Sequence, residues 1–308
     1  MPLFRSALPQ LSGRPFLTDG GLETSLVFLE GTELPCFAAF PLLCSEEGRS
    51  RLLRFFEPYI ALARRYRAGM ILDTPTWRAN PDWSARLGFG EAALAEVNRE
   101  AIRFVTDLRH RYAEANLPLI LNGVVGPRGD GYKPEWVMSA AAAADYHRVQ
   151  IEVFAASEAD MVSAVTMTSV AEAVGIVRAA RVVGLPAVIS FTLETDGRLP
   201  SGQVLGSAIR ETDAATDAYP AYYMINCAHP AHFETVLAEQ EPWLEWLRGL
   251  RANASTKSHA ELGAATELDI GDPPGSGAPL RRSPETTARI ERAWRLLRHR
   301  SPAHRGHL

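Results

Sequence analysis

The sequence predicts an α/β fold of the parallel (β/α)8, TIM-type barrel class, with the eighth strand missing or replaced. Three observations carry this expectation. Short apolar runs alternate with longer stretches of helical spacing, the pattern of βαβ units and a parallel sheet. Polar clusters recur just beyond the apolar runs, where a parallel barrel places its reactive groups. The chain has 308 residues, 46% of them hydrophobic and 22% charged, which suits one large barrel core.

The elements follow in order. Phe16–Asp19 reads as the first strand, ending in Asp19-Gly20-Gly21. Ser45-Glu46-Glu47 offers a cap and an acidic first turn for a helix that carries Leu52, Leu53, Phe56, Ile60 and Ala63 on its inner face. Gly69 is placed to close that helix, because glycine accepts the left-handed conformation at a helix end. Met70–Asp73 is the second strand and Leu117–Gly123 the third. A helix follows from Ser139 to Ala156, then a fourth strand over Asp160–Thr166.

Ser169-Val170-Ala171-Glu172 fits a capping box at the start of the next helix, which ends near Gly184 ahead of Pro186. Ala187–Phe191 and Ala221–Cys227 are the fifth and sixth strands, and Leu247–Ala252 is a weaker seventh. Where an eighth should lie, the run Gly271-Asp272-Pro273-Pro274-Gly275-Ser276-Gly277 has the composition of a linker. Residues 1–270 are therefore expected to form the barrel. Residues 271–308 are expected to form a linker and a basic helix, with Ile290, Trp294 and Leu297 on one face.

Charge and cysteine usage narrow the function classes. The formal net charge is −4, but residues 281–308 carry eight arginines against two glutamates, a net of +6, which leaves −10 on residues 1–280. Without an aromatic series or a nucleic-acid motif, the basic ending reads as a solvated helix face, and neither nucleic acid nor membrane is expected as a partner. No apolar run approaches the roughly 18 residues of a membrane span, and the first ten residues lack a signal-peptide pattern. A cytoplasmic location is expected. Three cysteines, Cys36, Cys44 and Cys227, make no disulfide framework.

Four polar clusters fall at predicted strand ends. The first is Thr18-Asp19-Gly20-Gly21-Leu22-Glu23, where two glycines let backbone N–H groups approach a ligand. The second is Asp73-Thr74-Pro75-Thr76, the third Gly123-Val124-Val125-Gly126-Pro127-Arg128-Gly129, and the fourth Asn226-Cys227-Ala228-His229-Pro230. Each alone is also compatible with a plain turn, and a lone cysteine with an inert core position.

Taken together, their order and spacing resemble the homocysteine S-methyltransferase family over about residues 14–262. The resemblance rests on Asp19-Gly20-Gly21 with Glu23, Asp73-Thr74-Pro75-Thr76, Gly123-Val124-Val125-Gly126-Pro127 and Asn226-Cys227. It implies an eight-stranded barrel that transfers a methyl group from a small onium donor to the sulfur of homocysteine or another small thiol. It also implies a zinc ion held by three cysteines, of which Cys227 matches the first. Asp19, Gly20, Gly21, Glu23, Thr74 and Asn226 match the substrate pocket.

Two departures stand out. The family's second and third zinc ligands come from a Gly-Gly-Cys-Cys segment, and this sequence has no cysteine after Cys227. His229, His232 and His259 are the available substitutes. Where many relatives carry a glutamate facing the substrate ammonium, Val165 stands here, and Glu23 or Asp73 would have to take that part. Two further readings share these residues. One is a non-catalytic small-molecule-binding barrel, and the other a metal-free enzyme using Asp19, Asp73 or Glu194 as acid–base groups.

Overall fold

The computed structural model describes residues 1–132, 138–238 and 241–271. Seven strands, β1 (Phe16–Leu17), β2 (Gly69–Asp73), β3 (Leu119–Val125), β4 (Met161–Met167), β5 (Ala187–Thr192), β6 (Tyr222–Asn226) and β7 (Leu247–Arg251), form one curled sheet in sequence order. Every neighbouring pair is parallel. Among the described residues no strand joins β7 back to β1. The expected linker and basic helix, and the place of an eighth strand, lie outside the described residues.

The alternation of side chains along each strand separates two apolar layers. Ile71, Ile120, Met161, Val188, Tyr222 and Met224 point into the barrel and meet Leu8 and Phe4 of the N-terminal segment. Their neighbours face the surrounding helices: Met70, Leu72, Leu119 and Leu121 in one cluster, Val162, Ala164, Ile189, Phe191 and Ile225 in another. Both faces being covered is why these strands read as continuous apolar runs.

A three-residue helical turn, α1 (Leu22–Thr24), follows β1. Helices α2 (Glu46–Arg65), α3 (Pro81–Arg86) and α4 (Glu91–Arg111) flank β2, and α5 (Ala140–Ala155) and α6 (Val170–Val182) flank β4. Helices α7 (Leu205–Thr216) and α8 (Pro230–Ala238) flank β6, and α9 (His259–Gly263) follows β7. The cap expected at α2 is present, with the Ser45 hydroxyl accepting from the Gly48 N–H at 3.0 Å. No described helix is long and apolar enough to cross a membrane.

Two expectations are corrected. Gly69 does not close α2. Arg67 takes the left-handed conformation (φ 52°), and Gly69 begins β2, where a Cβ would sit 2.2 Å from the Phe16 ring. Glycine is needed there for close strand packing. Nor do Ser169 and Glu172 form a capping box, since the Ser169 side chain makes no cap bond. The buried Glu172 instead accepts from the Arg128 N–H at 2.6 Å and pairs with His147 Nε2 at 2.9 Å. A buried carboxylate is stabilised more by two such partners than by a cap at the surface.

The N-terminal segment seals the end of the barrel opposite the strand C-termini. Asp160, fully buried just before β4, accepts from the N–H groups of Leu3 (2.9 Å), Phe4 (2.8 Å) and Leu121 (2.9 Å) and pairs with Arg109 at 3.1 Å. Arg5 donates to the carbonyls of Ala155, Ser157 and Ala159. That plug leaves the other end of the barrel as the open mouth.

Candidate functional site

A cavity of about 1420 Å³ is lined by the C-terminal ends of the strands and, along β1 and β7, by residues 10–18 and 248–252. Its lining includes the residues that the family resemblance assigns to the pocket, Asp19, Gly20, Gly21, Glu23, Thr74, Asn226 and Cys227, but not His229, His232, His259 or Glu194. Gly21 needs its freedom here, because its φ of 57° turns the chain from β1 into α1. The Gly20 carbonyl accepts from the Tyr59 hydroxyl at 3.2 Å, which fixes the loop against α2.

The arrangement separates support from open chemistry. Thr74 is support, its hydroxyl lying 2.6 Å from that of Thr76 and accepting from the Val124 N–H at 2.9 Å. Asn226 is also support. Its carbonyl oxygen accepts from the Thr166 N–H (2.9 Å) and the Ser190 hydroxyl (2.6 Å), and its amide donates to the Thr166 hydroxyl (2.8 Å). One side chain thus ties β4, β5 and β6 together at their ends. It holds two non-glycine residues in the left-handed region, Thr166 (φ 63°) and Cys227 (φ 53°). For a β-branched residue this is strained backbone, of the kind that persists only where its surroundings over-determine it.

Cys227 is half-buried and lines the cavity. Its N–H donates to the Arg251 carbonyl at 3.1 Å, and its sulfur lies 4.0 Å from the Thr166 hydroxyl. His259 Nε2 lies 3.0 Å from the Cys227 carbonyl and 3.1 Å from the Thr192 hydroxyl, and its Nδ1 lies 3.0 Å from Glu194. The Tyr132 ring stacks on His259 at 4.3 Å. The nearby Cys227 sulfur, and then burial, push the Tyr132 phenol well above its ordinary value.

The largest surprise is Arg251, which the sequence reading passed over as the end of a weak strand. Its guanidinium crosses the seam between β7 and β1. Nη2 pairs with Asp19 at 3.1 Å and also with Asp73, and Nε donates to the Thr18 hydroxyl at 3.4 Å. Burial opposes the charge on Arg251, and Asp73 and Asp19 more than offset it, so the group stays cationic. Asp73 is held in turn by the Asn122 amide at 2.7 Å. An arginine closing an apolar run at a barrel mouth was the signal available for it.

Two carboxyl groups carry strongly shifted values. Burial raises Asp19 to about 7 against the opposing pull of Arg251, with Asp73 and Glu23 adding to the rise. Burial likewise raises Glu23 to about 7, opposed by its own backbone N–H, Arg78 and Arg251. Arg78, on the rim, stacks on Trp83 at 4.0 Å and Trp77 at 4.9 Å and pairs with Asp130 at 3.5 Å.

The profile of homocysteine S-methyltransferases matches residues 16–296. The chain belongs to the homocysteine S-methyltransferase family. The family match extends past Leu262, where the resemblance of the motifs stops. The fold is like that of the homocysteine methyltransferase MmuM from Escherichia coli. Its metallated form gives a TM-score of 0.60 at 18% identity over 84% of this chain and 97% of that one. The oxidized form gives 0.61 at 19%, over 84% and 98%. No curated protein sequence matches the chain significantly.

The zinc ion implied by the family resemblance does not fit the residues described. Among them no group of three His, Cys, Asp or Glu side chains is placed to hold a metal ion, and a zinc site takes at least three protein ligands. Cys36 and Cys44 do not line the cavity. The three histidine substitutes are engaged elsewhere. His229 Nδ1 accepts from the Ala231 N–H, His232 Nε2 faces the Thr256 carbonyl, and His259 is held as described above.

Proposed function

We propose that this family member transfers a methyl group from a small onium donor to a small-molecule thiol, with Cys227, Asp19 and Glu23 in the working pocket. One observation carries the reading. The family's Asp-Gly-Gly and Asn-Cys strand ends converge on one cavity, with the Glu23 carboxyl, which bonds to no other side chain described, beside them. In the reaction the acceptor sulfur attacks the methyl carbon. The donor's carbon–sulfonium bond breaks, its electron pair stays on the leaving thioether, and the thiol proton is released.

Asp19 and Glu23, brought to about 7, suit the uptake of that proton, because a general base works best near the operating pH. A carboxylate-lined mouth also suits a cationic donor. The same reading takes the curled sheet as a TIM-type barrel whose eighth strand is missing or replaced.

The test is direct. Purified full-length protein is incubated with S-methylmethionine and homocysteine, and methionine formation is followed by mass spectrometry. Turnover that falls at least about tenfold in Glu23→Gln supports the reading. No methyl transfer to homocysteine or to simpler thiols refutes it. A second reading, a binding barrel without catalysis, is favoured by the missing metal-ligand group among the described residues. Ligand binding without turnover is its signature.

A further inference from the structure

The guanidinium of Arg251 does more than strap the seam. The strap uses Nη2 and Nε, toward Asp19, Asp73 and Thr18. No hydrogen bond to Nη1 is found among the described residues, and Nη1 is not among the sealed, unpartnered buried atoms. The side chain keeps 20% of its surface exposed and lines the cavity. Arg251 therefore presents an oriented, charged donor in the lining of the pocket, near Cys227.

Other cavity groups complete a pattern. Asp19 and Asp73 are already committed to Arg251, whereas the Glu23 carboxylate bonds to no other side chain described. Val165 adds an apolar side chain to the lining on the β4 side. A cation with an open N–H, a separate open carboxylate and an apolar surface together match a short zwitterion.

We propose that Arg251 is the specificity-determining residue for the acceptor. It receives the acceptor's carboxylate at Nη1, so that the site holds a thiol-bearing amino acid by its charged end and needs no metal ion to bind it. Glu23 faces the ammonium group. A guanidinium is suited to this task, since two of its nitrogens can hold the seam while the third donates a charge-assisted hydrogen bond from a fixed position. The inference rests on the reading that the cavity takes a small thiol, but not on methyl transfer taking place.

The experiment uses full-length, chelator-treated protein under reducing conditions and calorimetric titration with three thiols. Homocysteine carries both charged groups, 3-mercaptopropionate only the carboxylate, and cysteamine only the ammonium. Homocysteine is expected to bind best, and cysteamine at least about tenfold more weakly than 3-mercaptopropionate, the effect of losing one charge-assisted hydrogen bond. In Arg251→Met the advantage of the carboxylate thiols over cysteamine disappears. In Arg251→Lys, which keeps the charge across the seam, it is reduced but not abolished.

Melting curves show which variants fold, and affinities are read in those. Cysteamine binding as tightly as 3-mercaptopropionate, a carboxylate preference unchanged in the folded variants, binding abolished by chelation, or no thiol binding at all would each overturn the proposal. Carboxylate-dependent binding without methyl transfer keeps this inference and removes the catalytic one. Methyl transfer without carboxylate dependence does the reverse.

Discussion

Replacing Glu23 with glutamine should stabilise the fold at alkaline pH and leave it nearly unchanged in acid. Burial raises the Glu23 carboxyl from 4.5 to about 7. The sign follows from proton binding. Between those two values the folded chain holds a proton that the unfolded chain has released, so stability falls as pH rises through that window. Above the folded value both states are ionised and the full cost is present.

A shift of this size corresponds to about 3 kcal/mol at about pH 8.5, and to less than about 0.5 kcal/mol at about pH 4.5. Glutamine has nearly the same shape and no charge to desolvate, so it removes that cost. Urea unfolding of wild type and Glu23→Gln at the two pH values measures it, with the midpoint separating stability from any change in compactness. The gain should be confined to the alkaline arm. An equal effect at both pH values, or none at either, would mean that Glu23 is solvated and that the charge reasoning for the pocket is wrong.

Two further predictions concern the frame around the site. Asp160→Asn removes one of the two carboxylates paired with buried Arg109, Glu158 remaining at 2.8 Å, and weakens the anchoring of Leu3 and Phe4. It should cost about 1–3 kcal/mol in urea unfolding and expose the N-terminal segment to proteolysis, and a protected segment would count against the plug. Asn226→Ala removes three hydrogen bonds across β4, β5 and β6. It should cost about 2–4 kcal/mol, from unsatisfied buried groups and relaxation of Thr166, and lower Cys227-dependent activity; wild-type stability in this variant would contradict the strap.

Much of the fold was legible because it follows from local pattern. Strands buried on both faces read as apolar runs, and every expected strand lies within about two residues of its position in the structure, the usual scatter of element ends. Ser45 and Ser139 cap their helices through a serine oxygen three residues ahead of the bonded N–H, a relation contained in the sequence spacing. Ser169 follows the same spacing, but its partner Glu172 is drawn away by Arg128 and His147 from other elements. The same holds for Gly69, whose need for a missing Cβ is set by the Phe16 ring on a neighbouring strand.

The site divides along that line. Asp19, Glu23, Asn226 and Cys227 could be named in advance because their strand-end motifs resemble those of the family, at positions a parallel barrel places at its mouth. The linear chain could not say which of them would be open and which engaged. That depends on Arg251 reaching from β7 to Asp19, 232 positions earlier, and to Asp73, and on His259 meeting Glu194 and Cys227. Charge interactions of this kind act through space and scale with distance and burial. Both are created when the sheet curls, so the character of the pocket, two acids near 7 around an uncapped guanidinium, exists only in the folded molecule.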